Sequence, residues 1–345
     1  MIYLDHNATT PLDRRVFEIM TPYLTERWGN SSSPYRFGNQ ARIALENARA
    51  RVAACIGAAA GEIVFCAGGT EADNLAVRGV AAALRQRGNH IVTSSVEHHA
   101  VLYTCRALEA EGYRVTYLPV DGDGLVGLEE LEKSLTPETI LVSVMHANNE
   151  TGVRQPVGEI ARIARERGIV FHSDAVQTAG KLPGKLSDTG ADLLSFSAHK
   201  FYGPKGVGAL YVRKGTPISP RITGGPHERG LRAGTENIPG IVGLATALAL
   251  AVESAAAESE RLAGLRDRFE SRVLETVPGS RVNGRGAPRV PNTSNLSFDA
   301  VDGESIVLGL DLCGICISTG SACSTGDPEP SHVLLAMGLA PKEAQ

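Results

Sequence analysis

The sequence predicts an α/β fold: a large domain with a mainly parallel sheet flanked by helices, plus a smaller α+β C-terminal domain. Three observations carry this. Short apolar runs end again and again in polar or glycine-rich turns that open helices, the βαβα rhythm of a parallel sheet covered on both faces. The 345 residues suffice for a large core and for two domains. After about Ile238 the rhythm gives way to one long helical stretch and then short elements. We place the large domain at 13–250 and the small domain at 1–12 and 251–345.

The chain opens on an extended arm, Leu4 to Pro11, which turns into a helix near Asp13. Asn30 to Pro34 form a polar loop. Ala44, Ala48, Val52 and Ile56 recur every fourth residue and predict a helix over 39–56. Glu62–Cys66 reads as a strand, Gly68-Gly69-Thr70 as a turn and Glu71–Gln86 as a helix. The unit repeats with a strand at His90–Thr93 and a loop and helix over Val96–Ala110. A strand at Tyr113–Leu118 and a short helix at Leu128–Leu135 follow. Next come strands at Ile140–Met145, Ile169–His172, Leu193–Phe196 and Gly208–Val212, with a helix at Val157–Arg167 closed by Gly168. The later part predicts a helix from Ile238 to about Glu275, broken by Pro278-Gly279. Asn295–Phe298, a helix at Glu304–Leu312 and Ile315–Ile317 complete it.

Composition narrows the function. Hydrophobic content of 43% and charged content of 21% are those of a soluble globular protein, and a net charge of −4 argues against nucleic-acid or membrane partners. The first residues lack a basic start and an apolar run, so no signal peptide is expected. The apolar run Ile238–Val252 falls short of the roughly 20 residues that span a bilayer and reads as a buried helix. Six cysteines in a chain this long do not form a secreted disulfide framework, and a cytoplasmic location is expected.

In an open parallel sheet, ligands lie beyond the carboxyl ends of the strands. The first such end carries Gly69 and Thr70, whose glycine backbone and helix N-terminus suit a phosphate, although Thr70 also suits a simple N-cap. The next carries Glu97-His98-His99, then His146-Ala147-Asn148-Asn149-Glu150. Asp174 stands after another strand, where it can pair with a protonated pyridine nitrogen or cap a helix, and Gln177 follows it. Ser197, His199 and Lys200 end the last of them; by itself Lys200 equally suits an ordinary surface lysine. Together these ends offer a phosphate cup, an imidazole, an anion and an amine able to form a Schiff base. That is the equipment for pyridoxal 5′-phosphate (PLP).

Cys323 sits in a run of small polar residues between glycines, expected to be a mobile loop that presents a reactive thiol. Cys55, Cys66, Cys105, Cys313 and Cys316 read as buried structural thiols. Cys313 and Cys316 with Cys323 could suggest a metal set, but no second Cys or His pair accompanies them, and no metal is expected.

Eight stretches together resemble the cysteine desulfurases of the NifS/IscS type, within the class V aminotransferases and the PLP-dependent transferase fold type I. They are Tyr3–Thr10, Gly69–Asn74, Glu97–Val101, Asn148–Gly152, Asp174–Gln177, Ser197–Lys200, Arg232–Asn237 and Ser321–Cys323. The resemblance implies that Lys200 attaches the cofactor and moves the α-proton, while His98 stacks on the ring and shares in proton transfer. It implies that Asp174 pairs with the ring nitrogen and Gln177 with the ring oxygen, and that Gly69, Thr70, Ser197 and His199 hold the phosphate. Thr235 would reach the phosphate from the partner subunit of a homodimer, and Asn149 would orient the L-cysteine substrate. Cys323 would take the sulfur as a persulfide, leave L-alanine, and pass the sulfur to an acceptor or scaffold protein in iron–sulfur cluster assembly or in tRNA or DNA thiolation. A selenocysteine lyase, an aminotransferase or a non-catalytic scaffold are the alternatives.

The family pattern goes on to an arginine that grips the substrate carboxylate, and no such motif stands within these 345 residues; Arg36, Arg229 and Arg232 are not expected to replace it. His227 stands where the family commonly has glutamine, Tyr35 where histidine is frequent, and Asn30–Ser33 lacks a usual proline.

Overall fold

A computed structural model describes residues 1–299, 301–320 and 330–344. The arm forms β1 (Ile2–Tyr3) and leads to α1 (Arg14–Thr25), whose first turn Asp13 caps through a bond from Arg15 N. Next comes α2 (Arg36–Ile56), which starts before the expected Asn39. The recurring units then follow: β2 (Ile63–Cys66), α3 (Gly69–Ala83), β3 (His90–Ser94), α4 (His99–Ala110), β4 (Arg114–Leu118), α5 (Leu128–Ser134), β5 (Thr139–Ser143), α6 (Val157–Glu166) and β6 (Val170–Asp174). The strands β7 (Leu193–Ser197) and β8 (Gly208–Val212) complete the central sheet. The later part holds α7 (Ile238–Thr276), β9 (Ser280–Val282), β10 (Leu296–Phe298), α8 (Gly303–Leu312), β11 (Ile315–Cys316) and α9 (His332–Ala336).

The central sheet has seven strands in the order β2-β8-β7-β6-β5-β3-β4. It is mainly parallel, as the sequence predicts; β8 alone runs antiparallel to its neighbours β2 and β7. Apart from the edge strand β4, every residue of these strands is buried. Alternate side chains serve opposite cores, as the two-residue period of a strand requires. Ile63 and Phe65 of β2 join a core with α2, α6 and α7, whereas Val64 and Cys66 join one with α3 and α4.

Two small sheets lie outside this one. β1 pairs in parallel with β11, joining Ile2 to Ile315 and Tyr3 to Cys316, and β9 pairs with β10 in antiparallel fashion. α7 is longer than the apolar run suggested and passes residue 250 without a break. Its apolar half is long enough by composition to cross a bilayer, but over half of that stretch is buried inside the fold. It is the helix on which α1 and α2 pack.

Three expectations need correction. α3 begins at Gly69 rather than Glu71, so Thr70 lies within its first turn. Cys313 is exposed, not a buried structural thiol, because it ends α8, a helix with no buried residue. Cys55 and Cys316 are only partly buried, which leaves Cys66 and Cys105 as the enclosed pair. α9 is a helix the sequence reading did not foresee; its five residues are too few to show a period.

Candidate active site

The sheet delivers its polar strand ends to one side of the molecule. The turn after β2 brings Gly68 and Gly69 to the start of α3, where the first-turn N–H groups have no helical partner. β8 runs back beside this turn and allows it only because Gly208 has no side chain. A Cβ there would lie 2.7 Å from Gly68 C and 2.7 Å from Phe196 O, both backbone atoms. Ser197 at the end of β7 closes the other side.

The result is a cavity of about 650 Å³ lined by Gly68, Gly69, Thr70, Ser197, His199 and Lys205, among others. Glu71 also borders it, but its carboxylate accepts from Ala67 N and from Arg232, at 2.8 Å each, so its charge is already matched. What faces the space is then backbone N–H, hydroxyl, imidazole and ammonium. That is an anion cup. The sequence named Gly69, Thr70, Ser197 and His199 for it. Lys205 and Gly206 were missed, although a lysine beside a glycine turn after a strand end is a visible signal.

Beyond the cup lies Lys200, 7% exposed. It is a buried amine, not an ordinary surface lysine. Its Nζ donates to the Asn7 carbonyl and, at 2.9 Å, to the Ala8 carbonyl. The arm therefore crosses directly over the lysine. Thr10 ties the two together: its Oγ1 donates to His199 O at 2.9 Å and accepts from Tyr202 N at 2.7 Å. Tyr202 needs such support because it holds a left-handed φ of 63°. The sequence shows these arm residues as a motif but not that their carbonyls would face the amine.

The positive charge of Lys200 acts on His98, His199, Asp174 and Lys181 alike, which sets its ammonium among them. Asp174 ends β6 with Oδ1 accepting from Val176 N at 2.8 Å. Burial pushes its pKa up to about 6, against the pull of that hydrogen bond and of Lys200. A cation arriving beside it would be welcome. Asp73, entirely enclosed nearby, is also pushed well above the usual carboxylate range, first by burial and then by the charge of Asp174.

His98 caps α4, its Nδ1 accepting from Ala100 N at 3.1 Å. Burial, then Lys200, brings its pKa down to about 4, so it is neutral and presents Nε2–H. His199 is brought to about 4 by the same causes, and its Nδ1 meets Thr9 Oγ1 at 3.1 Å. Gln177 Nε2 donates to the Asn7 carbonyl at 3.3 Å. The Asn149 carbonyl accepts from Asn7 Nδ2 at 3.1 Å, while its side-chain Oδ1 is buried with no hydrogen-bond partner among the described residues. Such an orphaned acceptor fits a group still to be bound.

Two named residues stand apart. Thr235 is exposed and does not line the cavity. It follows a turn held by a buried ion pair in which Glu228 accepts from Arg49 at 2.7 and 2.8 Å, with Glu228 and Arg229 both left-handed at φ 46° and 56°. Arg229 donates to Ile63 O and Arg232 to Glu71, so both are committed within the fold. Cys323 lies outside the described residues.

A family model described as aminotransferase class-V matches residues 2–340. The chain is 53% identical over 338 residues to a cysteine desulfurase IscS of Dictyoglomus turgidum, covering 98% of this chain and 86% of that protein. It is 49% identical to a cysteine desulfurase IscS of Methanosarcina thermophila, covering 98% and 83%. Among solved structures it resembles a NifS-like protein with a TM-score of 0.93 at 42% identity, over 100% of this chain and 91% of the other. A structure of SspA in complex with cysteine gives a TM-score of 0.87 at 37% identity, over 100% and 96%.

Proposed function

The chain belongs to the aminotransferase class-V family, and we infer that within it the protein is a PLP-dependent cysteine desulfurase, converting L-cysteine to L-alanine. The observation that carries this reading is the placement of an anion cup, a buried lysine and a buried aspartate at adjoining strand ends. The residues present fit the cofactor. The cup suits its phosphate, Asp174 its ring nitrogen, and the orphaned Asn149 Oδ1 marks room for a polar ligand group.

When bound, PLP supplies an electron sink that lets the Cα–H and Cβ–S bonds of cysteine break. The chain's own residues do the rest. Lys200 would hold the cofactor through Nζ and would take and return the α-proton. Asp174 stays anionic once a protonated nitrogen lies beside it, since opposite charge favours its charged form. His98 would lie over the ring and offer Nε2–H. Gln177 offers an N–H to the ring oxygen, and Asn149 orients the substrate. Gly69, Thr70, Ser197 and His199 hold the phosphate, with Thr235 contributed by the partner in a homodimer. Cys323 takes the sulfur as a persulfide and passes it to a protein acceptor serving iron–sulfur cluster assembly or nucleic-acid thiolation. We place the protein in the cytoplasm and its small domain at 1–12 and 251–345.

The test is alanine formation from L-cysteine by the PLP-loaded protein, with Cys323→Ser and Lys200→Ala beside it. Both variants should lose at least a hundredfold in kcat, as removal of a nucleophile or base does. Alanine production by C323S at the wild-type rate would overturn the role given to the thiol.

A further inference from the structure

Lys181 has no role in the site as described so far, yet its Nζ donates to Gln177 Oε1 at 2.8 Å. A glutamine amide can exchange its oxygen and nitrogen by turning over, and an unguided Gln177 would have two orientations. Here one is selected. The lysine ammonium has three donors and no acceptor, so it can face only Oε1. The NH2 end is thereby turned the other way, and Nε2 donates to the Asn7 carbonyl. That same carbonyl accepts from Lys200 Nζ, so the amide nitrogen is brought beside the reactive amine.

Lys181 is itself held in place. Its N–H donates to Thr178 O at 3.0 Å, and its carbonyl accepts from Ser259 Oγ of α7 at 3.2 Å. The residue is partly buried and its ammonium is enclosed; burial, then the charge of Lys200, brings its pKa down to about 7. A neutral amine would gain an acceptor lone pair, so the selection of Oε1 belongs to the charged form, which Lys181 holds below that value.

We propose that Lys181 is a positioning residue that locks the Gln177 amide with Nε2–H aimed at the ring oxygen of the bound cofactor. The proposal rests on the PLP reading of the site.

A donor on that oxygen favours its ionised form, which absorbs at longer wavelength. The experiment is a PLP titration of the full chain at pH 6, where Lys181 is charged, reading affinity and visible spectrum, for wild type, K181M, K181R, Q177L and the double variant K181M/Q177L. K181M should bind PLP about tenfold more weakly, the loss of one hydrogen bond. It should also lose at least half of the long-wavelength absorbance. K181R should recover both to within about twofold, and the double variant should be no worse than Q177L, because the two residues act as one.

Wild-type affinity and spectrum in K181M, or an effect of K181M that persists undiminished in the Q177L background, overturns the proposal. Should K181M fail to fold, K181R decides: a wild-type spectrum supports the role and a lost one overturns it. A wild type that takes up no PLP overturns the cofactor reading, and this proposal with it.

Discussion

Thr10 shows how much one side chain of the arm controls. It is 6% exposed, and its hydroxyl joins His199 O to Tyr202 N across Lys200. Thr10→Val keeps the shape and the bond from Thr10 N to His199 O but leaves the Tyr202 N–H without its acceptor, so it should lower stability by about 1 kcal/mol in urea unfolding. It should also weaken PLP retention, since the left-handed Tyr202 would lose the contact that fixes the turn after the lysine. Most residues of this site could be named before any coordinates, because glycine, histidine, aspartate and lysine at strand ends carry chemistry in their type. Asn7 and Ala8 could not. They act through backbone carbonyls, and nothing in a side chain advertises where a carbonyl will point.

Among the elements, β8 is the piece that the sequence locates but does not orient. An apolar run such as Gly208–Val212 reads as a strand in either direction; its reversal between β2 and β7 follows from the short Phe201–Val207 connection, which cannot carry a parallel crossover. That reversal sets its first residue against the phosphate turn. Gly208→Ala should therefore push Gly68 and Phe196 apart, costing about 1–3 kcal/mol of stability and widening the cup. Thermal melting and a PLP titration would show both, and an unperturbed affinity would mean the cup absorbs the methyl. The helices α2 to α6 were recoverable in outline from period and punctuation. The sequence also separated two kinds of lysine poorly: Lys200 is buried in the site, and Lys181 is seen only through its partner, four residues back.

The whole molecule holds an unusual set of buried titratable groups that push stability in opposite directions. Burial brings the pKa values of His98, His146 and His199 down to about 4 and that of His172 to about 3. The unfolded chain takes up those protons near pH 6.5, so folding stability should fall as pH drops from about 6.5 towards 4. Burial raises Glu97 to about 8 and Glu150 to about 7, so their folded forms resist ionisation, and stability should fall as pH rises from about 4.5 through those values. Between about pH 4.5 and 6.5 the two sets oppose each other, with Asp73 and Asp174 acting alongside the glutamates, so the melting temperature should be highest across that overlap and fall on either side of it. His172→Gln should flatten the acid limb, because its ring is fully enclosed and, among the described residues, hydrogen-bonds Ser143 and Ser195, with Asp73 Oδ1 3.6 Å from Nε2. A melting temperature that stays constant from pH 8 down to 3 would refute this account.

The pairing of β1 with β11 carries a consequence for how the chain is made. Ile2 and Tyr3 find their strand partners only when Ile315 and Cys316 have emerged. At a synthesis rate of about 5–20 residues per second, Ile2 and Tyr3 wait roughly 15–60 s for these partners. Asn7 and Ala8 lie just behind β1, so the carbonyls that grip Lys200 are set from both ends of the chain. The sheet can assemble on the ribosome in sequence, but the lysine's cradle closes after it. A growing chain would thus reach a folded core well before it could hold its cofactor in working order.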